Sequence, residues 1–71
     1  MQEIIIKTEF IKLQQLLKLA GVVGQGSDAK LYIKNGMVTL NDVVITERGK
    51  KVYHNDIVTV KDIAKFKVIK E

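Results

Sequence analysis

The sequence predicts an α+β domain in which two short helices pack on a small antiparallel sheet, and three observations carry that prediction. Apolar residues recur with helical spacing only twice, over residues 10–20 and again at Ala29 and Ile33. Between residues 37 and 46 they alternate instead, about the turn pair Asn41-Asp42, as they do in a hairpin. Strand-forming runs stand near both ends, Ile4-Ile5-Ile6 and Lys65-Phe66-Lys67-Val68.

A chain of 71 residues is one domain, and at this size folding buries only about 60% of the surface that the unfolded chain exposes. Packing in so thin a core rarely yields more than roughly 3–5 kcal/mol of net stability. Disulfides are not available to supplement it. With no cysteine and a single histidine, His54, the ligand count rules out a zinc knuckle, an iron–sulfur site and a thiol nucleophile, and no cofactor is expected.

The first strand covers residues 3–7, and Thr8 then offers an N-cap. In the first helix Phe10, Leu13, Leu16, Leu17 and Ala20 share one face, with Lys12, Gln14, Gln15 and Lys18 opposite. Gly21 closes it as a C′ residue. The glycines at 21, 24 and 26 resemble a phosphate-cradling loop only superficially, because no lysine followed by serine or threonine comes after them. They read as an inter-helix turn that needs positive φ.

Ser27 is the expected N-cap of the second helix, and Asp28 in its first turn complements the helix dipole. Ala29 and Ile33 face inward, while Lys30 and Lys34 form a two-lysine stripe on an adjacent solvated face. Like charges so spaced repel, so this stripe calls for a counter-charge. Asn35-Gly36 ends the helix.

In the hairpin, a two-residue turn at Asn41-Asp42 sets Leu40 opposite Val43, Thr39 opposite Val44 and Val38 opposite Ile45. One face is then apolar, with Val38, Leu40, Val43 and Ile45. Met37, Thr39, Val44 and Thr46 occupy the other, and a one-residue slip would destroy the separation. A basic loop follows at residues 47–51, where Arg48, Lys50 and Lys51 crowd together. Asn55-Asp56 marks another tight turn before a strand at residues 57–60, and the last strand spans residues 65–68.

Catalysis needs convergent groups, and His54 with Asp56 is the only base-and-orienter pair in reach, with the one serine, Ser27, far away in sequence. No enzyme, small-molecule substrate or metal site is expected. The N-terminal stretch lacks the basic segment and long apolar run of a signal peptide, so a cytoplasmic protein without a membrane partner is expected. The formal net charge is +4, carried by eleven lysines and Arg48, a balance common to nucleic-acid binders.

Taken together, Lys12-Leu13 with Leu16-Leu17, Leu19-Ala20-Gly21, Ser27 with Ala29, Ile33 with Asn35-Gly36, Val38-x-Leu40-Asn41, Gly49-Lys50-Lys51 and Asn55-Asp56-Ile57 make a familiar order of parts. Over residues 10–60 the chain resembles the S-four RNA-binding domain, named for small-subunit ribosomal protein four, in its small stand-alone bacterial YaaA/YbcJ-like form. The resemblance implies the alpha-L RNA-binding motif, a non-catalytic role, and an RNA-facing surface built from the second helix and the hairpin. The implied partner is structured RNA, ribosomal RNA or a ribosome-associated particle. Phosphate contacts are then expected from Lys12, Lys30, Lys34, Arg48, Lys50 and Lys51, with hydrogen bonds to sugar or phosphate from Gln15, Gln25, Ser27, Asn35 and Thr39. Asp28 stands where the family commonly carries arginine, which shifts weight to Lys30, Lys34 and the basic loop.

Phe10, Tyr32, Tyr53 and Phe66 are few and far apart in sequence, so recognition by RNA shape is expected ahead of base stacking. An alternative from another class is a protein-interaction module that docks through Met37, Thr39 and Val44, with RNA affinity incidental.

Overall fold

The structure, a computed structural model, describes residues 1–23 and 26–71, with residues 26 and 27 described by their backbone alone. In chain order its elements are β1 (Gln2–Ile6), β2 (Phe10–Lys12), α1 (Leu13–Leu19), α2 (Gly26–Lys34), β3 (Val38–Leu40), β4 (Val43–Val44), β5 (Lys51–Tyr53), β6 (Ile57–Val60) and β7 (Ala64–Lys70). Five strands form the main sheet in the order β1, β7, β6, β3, β4, while β2 and β5 make a separate two-stranded ribbon.

The α+β architecture is the one expected, with one difference in the sheet. β1 runs parallel to β7, and the other pairings are antiparallel. Parallel neighbours need a long connection, and here nearly the whole chain lies between the two strands.

Alternation sorts the sheet into two faces. Ile4, Ile6, Val38, Leu40, Val58, Val60, Phe66 and Val68 point to the helices, where Leu13, Leu16 and Leu17 of α1 and Ala29 and Ile33 of α2 complete one buried cluster. No polar or charged residue among those described is buried. The core is therefore apolar throughout, and the chemistry of the domain lies on its surface.

The first helix is shorter than its sequence pattern. Phe10 to Lys12, expected in the helix, pair with β5 as β2, and α1 begins at Leu13. Thr8 is not its cap, since its Oγ1 donates to Phe10 O at 2.8 Å. Lys12 occupies the N-cap position without a side-chain bond. The basic loop supplies the missing acceptors: Leu13 N–H donates to Lys50 O at 2.8 Å and Gln14 N–H to Arg48 O at 3.1 Å. Tertiary pairing has overridden a helical spacing that Phe10 and Ile11, both good strand formers, did little to enforce.

Both helices end in the same way. Gly21 at φ +76 donates to Lys18 O while Val22 N–H reaches Leu17 O, and Gly36 at φ +73 donates to Ile33 O while Met37 N–H reaches Tyr32 O. Each is a Schellman closure, which needs glycine at the left-handed position. At its other end α2 starts at Gly26, so Ser27 lies within its first turn and not ahead of it as an N-cap. The expected turn through residues 24 and 25 falls outside the described residues.

The hairpin has the predicted register, Thr39 opposite Val44 and Leu40 opposite Val43, with Ile45 N–H donating to Val38 O. Asn41 at φ 50 and Asp42 at φ 70 give it a turn with both central residues left-handed, of the kind that matches strand twist. Val43 is the exception to the expected apolar face, being 61% exposed. β4 has only two residues and lies at the sheet edge, with a strand on one side only, so Val43 is covered little.

A small polar network ties this turn to the next. Asn41 Nδ2 donates to Asp56 Oδ1 at 3.1 Å, Ile57 N–H donates to Asn41 Oδ1 at 2.9 Å, and Tyr53 N–H donates to Asp56 Oδ2 at 2.8 Å. Turn residues far apart in sequence thus fix β5 and β6 against the hairpin.

Candidate nucleic-acid interface

The two-stranded ribbon places four side chains together. Its register sets Phe10 opposite Tyr53, Ile11 opposite Val52 and Lys12 opposite Lys51. Val52 is fully buried and Ile11 packs on the core, so the alternate positions Phe10, Lys12, Lys51 and Tyr53 share the outer face. The bond from Leu13 N–H to Lys50 O makes that pair the hydrogen-bonded one. Its neighbour Lys12/Lys51 and, two residues on, Phe10/Tyr53 are then the closely spaced pairs, with Cα atoms about 4.5 Å apart. Lys51 Nζ lies 4.7 Å from the Phe10 ring centre, and the Phe10 and Tyr53 rings stand 5.9 Å apart at 49°. Phe10 and Tyr53, distant in sequence, are neighbours here, which the expectation of scattered aromatics missed.

Arg48 and Lys50 adjoin this face, because their own carbonyls cap the first turn of α1. Backbone bonds fix where these residues sit while their side chains remain exposed. On α2, Lys30 and Lys34 are roughly 40° apart about the axis, whereas Asp28 lies about 160° from Lys30 on the far flank. Asp28 therefore does not interrupt the lysine stripe.

The end of α2 and the ribbon are linked through the basic loop. A Cβ on Gly36 would lie 3.8 Å from Val44 Cγ1, so the helix end touches β4. From there the chain leaves past the Ile45–Val38 bond and arrives at α1 through Lys50. Lys34 stands near one end of residues 45–50, and Lys12 and Lys51 stand at the other.

Not every expected residue joins this group. Gln15 lines a shallow groove of about 530 Å³ with Ile11, Lys18 and Leu19, which brings in Lys18, a cation that sequence reasoning left out of the site. Its three-residue spacing from Gln15 was the available signal. Asn35 sits on the Asp28 flank of α2, in a hollow of about 260 Å³ with Leu31, Tyr32 and Met37. Thr39 points to the sheet face opposite the helices, between Val44 and Thr59. Gln25 and the side chain of Ser27 lie outside the described residues.

His54 and Asp56 have structural tasks. Lys70 N–H donates to His54 Nδ1 at 2.9 Å, and Asp56 accepts from Tyr53 and Asn41. Among the described residues the only ion pair joins Lys70 Nζ to Glu9 Oε2 at 2.7 Å. The Lys70 hydrogen bond, and then its charge, hold the Glu9 carboxyl below the ordinary glutamate value of 4.5. The six expected phosphate-contacting cations, Lys12, Lys30, Lys34, Arg48, Lys50 and Lys51, thus have no acidic partner within the described residues. No group of three or more His, Cys, Asp or Glu there could hold a metal, and no described helix is long and apolar enough to cross a membrane.

The family model described as the S4 domain matches residues 4–69, from β1 to β7. The chain belongs to the S4-domain family. A relative from Bacillus subtilis (strain 168), described as a probable ribosome maturation protein RlbA, is 39% identical over 64 residues, covering 90% of each chain. In this S4 domain the sheet and both helix ends serve as scaffold, and the unpaired cations gather where the basic loop meets α1.

Proposed function

We propose that this S4 domain is a non-catalytic RNA-binding protein of ribosome maturation, which recognises structured ribosomal RNA or a ribosome-associated particle in the cytoplasm. The observation that carries the reading is the set of cations about the first turn of α1, Lys12, Arg48, Lys50 and Lys51, none with an acidic partner within the described residues. Lys30 and Lys34 extend it along α2, and Gln15 adds a hydrogen-bonding group beside Lys18. The relative's role in ribosome maturation directs the choice among RNAs.

Exposed cations on pinned backbone suit phosphates at fixed spacing, which is how folded RNA is recognised by shape. If about four phosphates are neutralised, log K falls against log salt with a slope of roughly −3. Titration of ribosomal RNA against Lys30→Glu/Lys34→Glu and Arg48→Glu/Lys50→Glu doubles tests the surface: both are expected to bind more weakly and with shallower slopes. Unchanged affinity in both removes this surface from RNA binding. The protein-docking alternative through Met37, Thr39 and Val44 predicts instead a binding that survives high salt and RNase treatment.

A further inference from the structure

Shape recognition leaves the aromatic half of the ribbon unexplained. Tyr53 is 44% exposed, and its hydroxyl makes no hydrogen bond among the described residues. Its partner Phe10 is already engaged, with Lys51 over the ring and Tyr53 tilted against it. Nearly half of Tyr53 thus remains accessible to solvent beside this pair. Aromatic rings so placed give unpaired bases a stacking surface.

Next to this ring stands a pair of like charges. Lys12 and Lys51 are directly opposite in a closely spaced pair, an arrangement that is unfavourable unless an anion sits between them. The two pairs are two residues apart along the strands, roughly 6.8 Å. That is the scale separating a nucleobase from the phosphate of its own nucleotide. Ring and cations also face the same way, because both pairs occupy the outer face of one ribbon.

We propose that the outer face of the β2–β5 ribbon binds one unpaired nucleotide of the RNA, its base stacked on Tyr53 and its phosphate held between Lys12 and Lys51. The inference rests on the RNA-binding reading and adds to it a subsite for a bulged or looped base. It is noncovalent and needs no conformational change, since the register and the ring pair are present without ligand.

The test uses a Tyr32→Phe protein, in which Tyr53 is the sole tyrosine and the chain has no tryptophan to mask it. Two RNA probes are titrated: a fully paired hairpin, and the same hairpin carrying one bulged adenosine. The bulged hairpin is expected to bind roughly 5- to 150-fold more tightly and to quench tyrosine emission. Separately, Tyr53→Ala is expected to bring the bulged hairpin down to the affinity of the paired one with an unaltered salt slope, and Tyr53→Phe to keep the preference. Equal affinity for both hairpins without quenching overturns the stacking subsite while leaving phosphate recognition in place. Failure to bind either hairpin overturns both readings. The quenching measurement leaves Tyr53 itself in place, so the outcome does not depend on whether Tyr53→Ala folds.

Discussion

Lys12 occupies a position where a cation works against the fold twice. It is the N-cap residue of a helix whose first turn contains no acid, and it stands directly opposite Lys51. Replacing it by glutamate reverses both terms. A carboxylate at a helix N-terminus gains about 0.3–1 kcal/mol, and exchanging a repulsive cross-strand pair for an attractive one gains about 0.2–1 kcal/mol. Competition for Lys51 limits the sum, because its contact with the Phe10 ring is itself worth about 0.5–1 kcal/mol at an exposed site. The net expectation for Lys12→Glu is a gain of about 1 kcal/mol at low ionic strength, where a domain of this size shifts by about 4–8 °C per kcal/mol. The gain should fade toward ~1 M salt, where the Debye length shrinks to about 3 Å. RNA binding should move the other way, with lower affinity and a salt slope shallower by about one unit. Thermal denaturation by circular dichroism, paired with RNA titration at several salt concentrations, measures both. Lys12→Gln is the control, giving part of the stability gain with a similar loss of slope. A fall in Tm at low salt refutes the electrostatic account of Lys12, and a rise in Tm with undiminished RNA affinity removes Lys12 from the interface.

Two further outcomes follow from the polar contacts. Asn41→Ala removes two hydrogen bonds, each worth about 0.5–1.5 kcal/mol, and leaves an alanine at positive φ for roughly 1 kcal/mol more, so urea unfolding should show a loss of about 2–4 kcal/mol. Asn41→Gly relieves the backbone strain but not the lost bonds and should recover only part of it; wild-type stability in both variants would mean that the network is not formed. The Glu9 carboxyl has its folded value lowered by Lys70, so its contribution is present above about 4.5 and is lost as pH falls through that lowered value. Because Glu9 is fully exposed, the Tm gap between wild type and Glu9→Gln should be small, confined to the higher pH range and closed by salt.

Legibility in the sequence followed the physics of each element. The hairpin register was readable because its period is two and its turn pair tolerates left-handed backbone, so a slip would expose every core side chain. Both helix ends were readable from a glycine placed just past the last apolar position. β2 was not, because Phe10 fits a helical spacing with Leu13 and Leu17 equally well, and what decides its state is β5, some forty residues away. The ribbon site was hidden by the same fact. Alternation in Phe10-Ile11-Lys12 and Lys51-Val52-Tyr53 was present in the sequence, but three residues are too few to set a period without knowledge of the partner. Lys30 and Lys34 were found because helical spacing alone places them together. Asn35, next to Lys34 in sequence, stands apart from the two lysines because its angle about the axis carries it to the other flank.

The two halves of the proposed interface are joined by residues 45–50, and that segment is tied down at both ends. Ile45 N–H is held by Val38 O, and the carbonyls of Arg48 and Lys50 are held by Gln14 and Leu13. A loop bonded in this way transmits the geometry of the core to the surface, so the spacing between the α2 lysines and the ribbon is set by the fold before any RNA arrives. Ordering cost on binding is then confined to long side chains, at about 0.5–1.5 kcal/mol for each one immobilised. Specificity follows from the same rigidity. On the proposed reading, phosphates at α2 and an unpaired base on the ribbon must be presented at one separation, and an RNA that offers both at another spacing can satisfy only one of them. The ribbon could meet this demand with little expense to the core, since Ile11 and Val52 anchor it inward and its outer face takes no part in the core cluster. The opposed Lys12 and Lys51 are the cost of that arrangement, a local instability that bound phosphate would relieve.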